Sequence, residues 1–272
     1  MKHIKHDFLW ESEASQEIFW QYQDKNKAQS IEEAGQIITL CGIALSADPV
    51  AKPNAIPGAQ PGADSGGSSA QCRILDVGCG LGYHIEAFAR MGCSVTGIDV
   101  AEYSVSHAQK VNPSQRILKM QGKDIPWEEA FDLVIAIRHT LGFMSYDELT
   151  GHIARIWRSV KPGGCFILSV PYTLERAVLG LPVNQLSERD GIFYLTDKFL
   201  MEENIKVERF CVIDPAKDTI EEFNEKQRYY AWQEILDLLY SCGITDVASL
   251  KDFNGSPATD GEDARIFLMR KP

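Results

Sequence analysis

Hydrophobic positions change their period several times along the 272 residues of the chain. Phe8, Ala14, Ile18, Phe19 and Tyr22 recur at helical spacing, as do Ile31, Ala34, Ile37, Ile38 and Cys41, predicting two helices within residues 8–45. Residues 46–71, "SADPVAKPNAIPGAQPGADSGGSSAQ", are rich in Pro, Gly, Ala and Ser with almost no large apolar side chain. Such a stretch buries too little to offset its ordering entropy and reads as a linker or disordered loop. From Cys72 short apolar runs alternate with amphipathic ones: "CRILDV", "CSVTGIDV", "RILKMQ", "FDLVIAI" and "GCFILSV" read as strands, with "YHIEAFARM" and "YSVSHAQKV" as helices between the first three. Leu149, Ile153, Ile156, Trp157 and Val160 form the stripe of a further helix. Apolar strands alternating with helices predict a doubly wound α/β parallel sheet, covered on both faces.

The rhythm breaks after Pro171. "NIKVERFCVID" and "TIEEFNEKQRYY" read as alternating strands around a turn, an antiparallel hairpin that would cap the active edge of the sheet. A helix over Ala231–Ser241 carries Trp232, Ile235, Leu236 and Leu239 on one face and stops at Gly243; "ITDVASL" and "ARIFLMRK" supply two last strands.

Composition changes this picture little: 44% hydrophobic and 24% charged residues suit a globular protein. The formal charge of −11 argues against a nucleic-acid partner. Seven scattered cysteines without a C-x-x-C pair read as reduced core residues of a cytoplasmic protein and leave a metal site without support. No signal-peptide core stands at the start and no run of 18 apolar residues occurs, so neither export nor a membrane span is expected.

The chemistry concentrates in "LDVGCGLGYH", residues 75–84, where Gly78, Gly80 and Gly82 lie between a strand and a helix. Bare backbone there lets a ligand press close, and the helix N-terminus favours electron-rich groups. A nicotinamide fingerprint, G-x-G-x-x-G/A, would need a small residue where Tyr83 stands. Three acids surround the turn: Asp76 inside the first strand, Asp99 ending the second in "TGIDV", and Asp124 after the third in "GKDIPW". They suit a ligand with an amino group and a ribose, and they would repel a pyrophosphate.

With these motifs in order, residues 72–171 resemble the class I S-adenosylmethionine-dependent methyltransferases. The likeness rests on "ILDVGCGLGYH", "VTGIDVAEYSVSHAQ", "GKDIPWEEAFDLVIAI" and "IWRSVKPGGCFILSV", and the tail is similar to the last helix and final strands of that family. The resemblance implies a Rossmann-like methyltransferase fold with a seven-stranded sheet and an antiparallel substrate cap. Residues 1–45 would be an N-terminal helical lid, 46–71 a flexible linker, and 72–272 the methyltransferase domain with 173–230 as the inserted cap. It further implies S-adenosyl-L-methionine as cofactor. Backbone at Gly78, Cys79 and Gly80 would lie against its methionine part, with Gly82 completing the turn and Asp76 near the amino group. Asp99 would hold the ribose; Val100, Asp124 and Ile125 would bracket the adenine; Ile137 and Arg138 would flank the sulfonium side.

Asp99 also fits a helix N-cap and Asp124 an ordinary turn, but the constellation favours the ligand roles. Cys79 reads as a small turn residue rather than a nucleophile. His139, following the fourth strand, is a candidate catalytic base, or equally a structural histidine bonded to backbone. Tyr22, Tyr172, Tyr229 and Tyr230 either line the acceptor pocket or simply pack. The expected acceptor is an oxygen or nitrogen of a small molecule. A nucleotide-cofactor oxidoreductase and an inactive cofactor-binding scaffold are the alternatives.

Overall fold

A computed structural model describes residues 1–6, 20–45, 71–138, 140, 142, 144–170, 183–200, 204–259 and 265–272, without the side chains of 20–25 and 200. In chain order the elements begin with β1 (Lys2–His6), α1 (Trp20–Cys41), β2 (Arg73–Val77), α2 (Tyr83–Arg90), β3 (Ser94–Asp99) and α3 (Glu102–Val111). There follow β4 (Arg116–Lys119), a short 3-10 turn (Gly122–Asp124), β5 (Phe131–Ala136), α4 (Tyr146–Ser159) and β6 (Val160–Val170). The remainder is β7 (Val183–Arg189), β8 (Ile192–Leu200), β9 (Ile205–Asp214), β10 (Thr219–Arg228), α5 (Trp232–Ser241), β11 (Val247–Leu250) and β12 (Arg265–Arg270).

Seven strands form the main sheet in the order β11-β12-β6-β5-β2-β3-β4. β2 through β6 run parallel, and β12 and β11 close the edge antiparallel. Alternate residues of one strand serve opposite layers, as the two-residue period of a strand requires. In β5, Leu133 and Ile135 join the core beneath α1, α2 and α3, whereas Val134 and Ala136 join the core beneath α4 and α5. All four are fully buried, which is why the sequence of this strand reads as an unbroken apolar run.

The helices show how local signals set their ends. α1 buries Ala34, Ile37, Ile38 and Cys41, while Ile31, expected in the same stripe, is exposed. Gly42, at φ 67°, ends the helix and lets the Ile43 N–H reach back to the Ile38 carbonyl. α4 opens with a capping box: Ser145 Oγ accepts from the Glu148 N–H, and Glu148 Oε2 accepts from the Ser145 N–H.

The second sheet has five strands in the order β1-β10-β9-β8-β7. Its β9–β10 hairpin is the one the alternation predicts, pairing Phe223 with Phe210 and Glu225 with Glu208. The strand β1, parallel to β10, and the β7–β8 hairpin carry no comparable signal in the sequence. Residues 7–19 and 46–70 lie outside the described residues, and with them most of the first predicted helix and nearly all of the predicted linker; Tyr22, expected in that first helix, falls in α1. Among the described residues no helix is long and apolar enough to cross a membrane.

Candidate active site

The strand order reverses between β2 and its two neighbours, β3 and β5, and opens a crevice at their carboxyl ends. The turn "GCGLG" begins there. Its first two N–H groups, of Gly78 and Cys79, donate to the Ile98 carbonyl at 2.8 and 3.0 Å, folding the turn over the end of β3. A Cβ on Gly78, at φ 71°, would stand 2.6 Å from Thr140 Cγ2, so no other residue fits between the turn and the segment after β5. Gly80, at φ 50°, meets nothing within 4 Å: its face is open. Gly82 precedes α2, and its carbonyl accepts from Asn112 Nδ2 at 3.3 Å.

Asp99 binds this turn directly. Its Oδ2 accepts from the Gly80 N–H at 2.8 Å and its Oδ1 from the Ala101 N–H at 2.9 Å. Burial raises its pKa, against the pull of those backbone donors. The Val100 N–H is a third backbone donor to it, and a carboxylate's roughly four lone-pair directions leave room for a further donor. Asp76 is 3% exposed and its Oδ2 has no hydrogen-bond partner among the described residues. Desolvation and the nearby Asp99 push its pKa up to about 6, with His84 and Arg138 pulling the other way. A buried, unmatched carboxylate of this kind costs free energy until a donor or cation arrives.

His84 and Arg138 are held from the side by α1. Glu33 Oε2 lies 2.8 Å from His84 Nε2 and 3.3 Å from Arg138 Nη2, and Gln29 Nε2 donates to its other oxygen at 2.7 Å. Burial alone would raise the Glu33 pKa, but the bond and charge of His84 and the charge of Arg138 hold it below its ordinary value. Arg138 also donates to Ser30 Oγ and sits at φ 63°. Sequence reading missed Glu33; its one legible sign is a carboxylate on the buried face of α1, between Ser30 and Ala34.

The other predicted positions fall on the same sheet edge. Val100, half exposed, follows β3; Asp124, exposed, and Ile125, buried, follow β4. Ile137 and Arg138 follow β5, Ile137 buried and Arg138 partly so. The Cys79 thiol is pushed well up by burial and by Asp76 and Asp99, which keeps it protonated and unreactive. His139, Tyr172 and the side chain of Tyr22 lie outside the described residues. Tyr230 donates to the Met144 carbonyl at 2.8 Å, and Tyr229 is buried. Among the described residues no group of three or more His, Cys, Asp or Glu is placed to hold a metal, and all seven cysteines are free thiols.

A doubly wound seven-stranded sheet with this edge order, a glycine turn after its first strand and acids at the ends of the neighbouring strands defines a Rossmann-like methyltransferase. Residues 74–164 match the family model of the methyltransferase domain, and this match, the methyltransferase relatives and the structural neighbours together support a class I S-adenosylmethionine-dependent methyltransferase. It is 27% identical over 209 residues to a putative methyltransferase, YqeM, of Bacillus subtilis (strain 168), spanning 73% of this chain and 84% of that one. It is 25% identical over 119 residues to the dTDP-3-amino-3,4,6-trideoxy-alpha-D-glucopyranose N,N-dimethyltransferase of Streptomyces venezuelae, across 43% of this chain and half the length of that relative. Among solved structures, Streptomyces venezuelae DesVI superposes with a TM-score of 0.66 at 18% identity, covering 94% of this chain and 96% of that one.

Proposed function

We propose that this enzyme transfers a methyl group to an oxygen or nitrogen of a small molecule. The observation that carries the site assignment is the Asp76 carboxylate, buried with an unpartnered oxygen beside an open Gly80. S-adenosyl-L-methionine, when bound, supplies a methyl group already activated on sulfur, so the protein has to bind, orient and exclude water. Asp76 meets the ammonium of the methionine part, and the backbone of Gly78, Cys79, Gly80 and Gly82 lies along it. Asp99 accepts from the ribose hydroxyls with the lone pairs its backbone donors leave free. Val100, Asp124 and Ile125 bracket the adenine, and Ile137 and Arg138 border the sulfonium side. His139 takes a proton from the acceptor.

Two observations support a small acceptor. One similar enzyme is named for dimethylating an amino sugar nucleotide. In addition, the second sheet bonds to the segment after β5, where the Arg228 N–H donates to the Gly142 carbonyl at 2.7 Å, so an acceptor approaching that edge meets a covered space. Calorimetric titration with S-adenosylhomocysteine and with reduced nicotinamide dinucleotide tests the cofactor, and only the former is expected to bind. An acceptor screen with labelled methyl follows. Label entering bulk tRNA or protein, with none on small molecules, overturns the acceptor class. His139→Ala is expected to leave cofactor affinity intact and to cut turnover about a hundredfold or more; turnover within a few-fold of wild type removes the base assignment.

A further inference from the structure

The crevice lies at the carboxyl ends of the parallel strands. A cavity of about 280 Å³ lies at their opposite ends, walled by residues 41–44 at the end of α1, by Cys72 and Asp132 at the starts of β2 and β5, and by residues 162–165 of β6. Gly42, Ala44, Pro162 and Gly163 are exposed and form its mouth, whereas Cys41, Cys72 and Cys165 are buried and form its floor. A space of that size admits a small polar molecule to the sulfurs.

Two of those sulfurs stand together under one cation. Arg270 is opposite Cys165 in the register of β12 and β6, and its Nη1 lies 3.4 Å from the Cys165 sulfur and 3.4 Å from the Cys41 carbonyl oxygen. One guanidinium nitrogen thus spans the last residue of α1 and a sulfur on β6. The Cys41 and Cys165 thiols are themselves hydrogen-bonded. That bond and the charge of Arg270 draw Cys165 down to about 7, against burial and Asp246. The same bond, with burial, pushes Cys41 far up. Cys165 is therefore the thiolate of the pair at neutral pH, and Cys41 keeps its proton. Cys72 and Cys93 come one step before the paired Arg73 and Ser94 of β2 and β3, but Cys93 does not border the cavity.

We propose that Cys41 and Cys165 form a dithiol site oxidised by hydroperoxides, and that their disulfide ties the end of α1 to β6. The Cys165 thiolate attacks one peroxide oxygen: an S–O bond forms, the O–O bond breaks, and the leaving oxygen takes a proton from water. The Cys41 sulfur then attacks the Cys165 sulfenic acid. The S–S bond forms, the S–O bond breaks, and the departing hydroxide leaves as water with the Cys41 proton. The two sulfurs supply both electrons, so a hydroperoxide ends as an alcohol, or hydrogen peroxide as water. A small dithiol reverses the bond by exchange. The disulfide closes the long loop between residues 41 and 165, which confines the unfolded chain strongly. It also gives α1 a covalent tether, about two turns from Glu33 and its hold on His84 and Arg138.

The test treats the reduced full-length chain with equimolar hydrogen peroxide, alkylates the remaining thiols and maps the peptides without reduction. The chain is expected to lose two of its seven titratable thiols and to yield one linked peptide pair, Cys41 with Cys165, within a single chain. Oxidation should raise the melting temperature by about 5 °C or more and slow hydrogen exchange in α1, and dithiothreitol should undo both. Cys41→Ser should form no linkage and should instead take dimedone at Cys165 as the trapped sulfenic acid; Cys165→Ser should do neither. The mapping itself needs only the wild-type chain, so a variant that folds poorly leaves the test standing. Absence of the Cys41–Cys165 peptide overturns the proposal, as does a linkage of Cys72 with Cys93 formed at the same rate or faster. So does a linked chain whose melting and α1 exchange are unchanged.

Discussion

Asp76 and Asp99 are two carboxylates within one crevice, and their surroundings give them different work. Asp99 is already bonded to the loop it supports, so Asp99→Ala removes both a ribose partner and the anchor of Gly80. The expected loss in S-adenosylmethionine affinity is about 2 kcal/mol or more, as charge-assisted bonds are the stronger kind; unchanged affinity in calorimetry would contradict the ribose role. Asp76 has a pKa raised to about 6 from 3.8, so its contribution to the stability of the free protein is whole below pH 3.8 and is lost as pH rises through 6. Binding of an ammonium runs the opposite way, because only the ionised form attracts it. Cofactor affinity is therefore expected to fall as pH drops through 6, and Asp76→Asn should bind weakly with a flat profile; a wild-type profile without that fall would detach Asp76 from the ammonium. These acids were legible in the sequence because strand, turn and acid are consecutive. Glu33 was not, since its partners His84 and Arg138 stand 51 and 105 residues away.

Among elements, α1 joins the site through one side chain. Glu33→Gln keeps the size and removes the charge that holds His84 and Arg138, and about 1–3 kcal/mol of stability should go with it. Its pKa is held below 4.5, so the contact contributes above that pH and is lost as pH falls through the lowered value. Faster hydrogen exchange in α1, together with a lower melting temperature, would register the loss; identical exchange in the variant would show α1 held by its apolar face alone. In α4 the fully buried Ile153 offers a plain packing control, where Ile153→Ala should cost about 2–5 kcal/mol by denaturant unfolding and leave the pH profile of cofactor binding unchanged. The parallel strands were readable from their buried apolar runs. β1 was not: "KHIKH" is short and largely polar, and it is a strand only because β10 offers it an edge.

For the molecule as a whole, the crevice lies within the main sheet, and the second sheet is bonded to the segment after β5 through the Arg228 N–H and the Gly142 carbonyl. The long Pro/Gly/Ser-rich stretch between α1 and β2 should therefore tolerate shortening: replacing residues 48–70 by a brief Gly/Ser segment is expected to leave melting and cofactor affinity near wild type, since loop-closure entropy varies slowly with length. A collapse of either would show that the stretch packs against the rest of the fold.

The C-terminal end of α1 is fastened by Arg270 on β12, whose guanidinium donates to the Leu40 carbonyl at 3.0 Å and the Cys41 carbonyl at 3.4 Å, spanning 230 and 229 residues of sequence. The helix is thus clamped by a residue made some 230 positions after it, and β12, which lies between β6 and β11, must enter the sheet before that clamp exists. On the ribosome, α1 and the early strands emerge and then wait, with an apolar helix face exposed, until residue 270 clears the exit tunnel. Nascent chains arrested before residue 265 should show α1 open to protease, and chains arrested only after residue 270 has cleared the tunnel should show it protected.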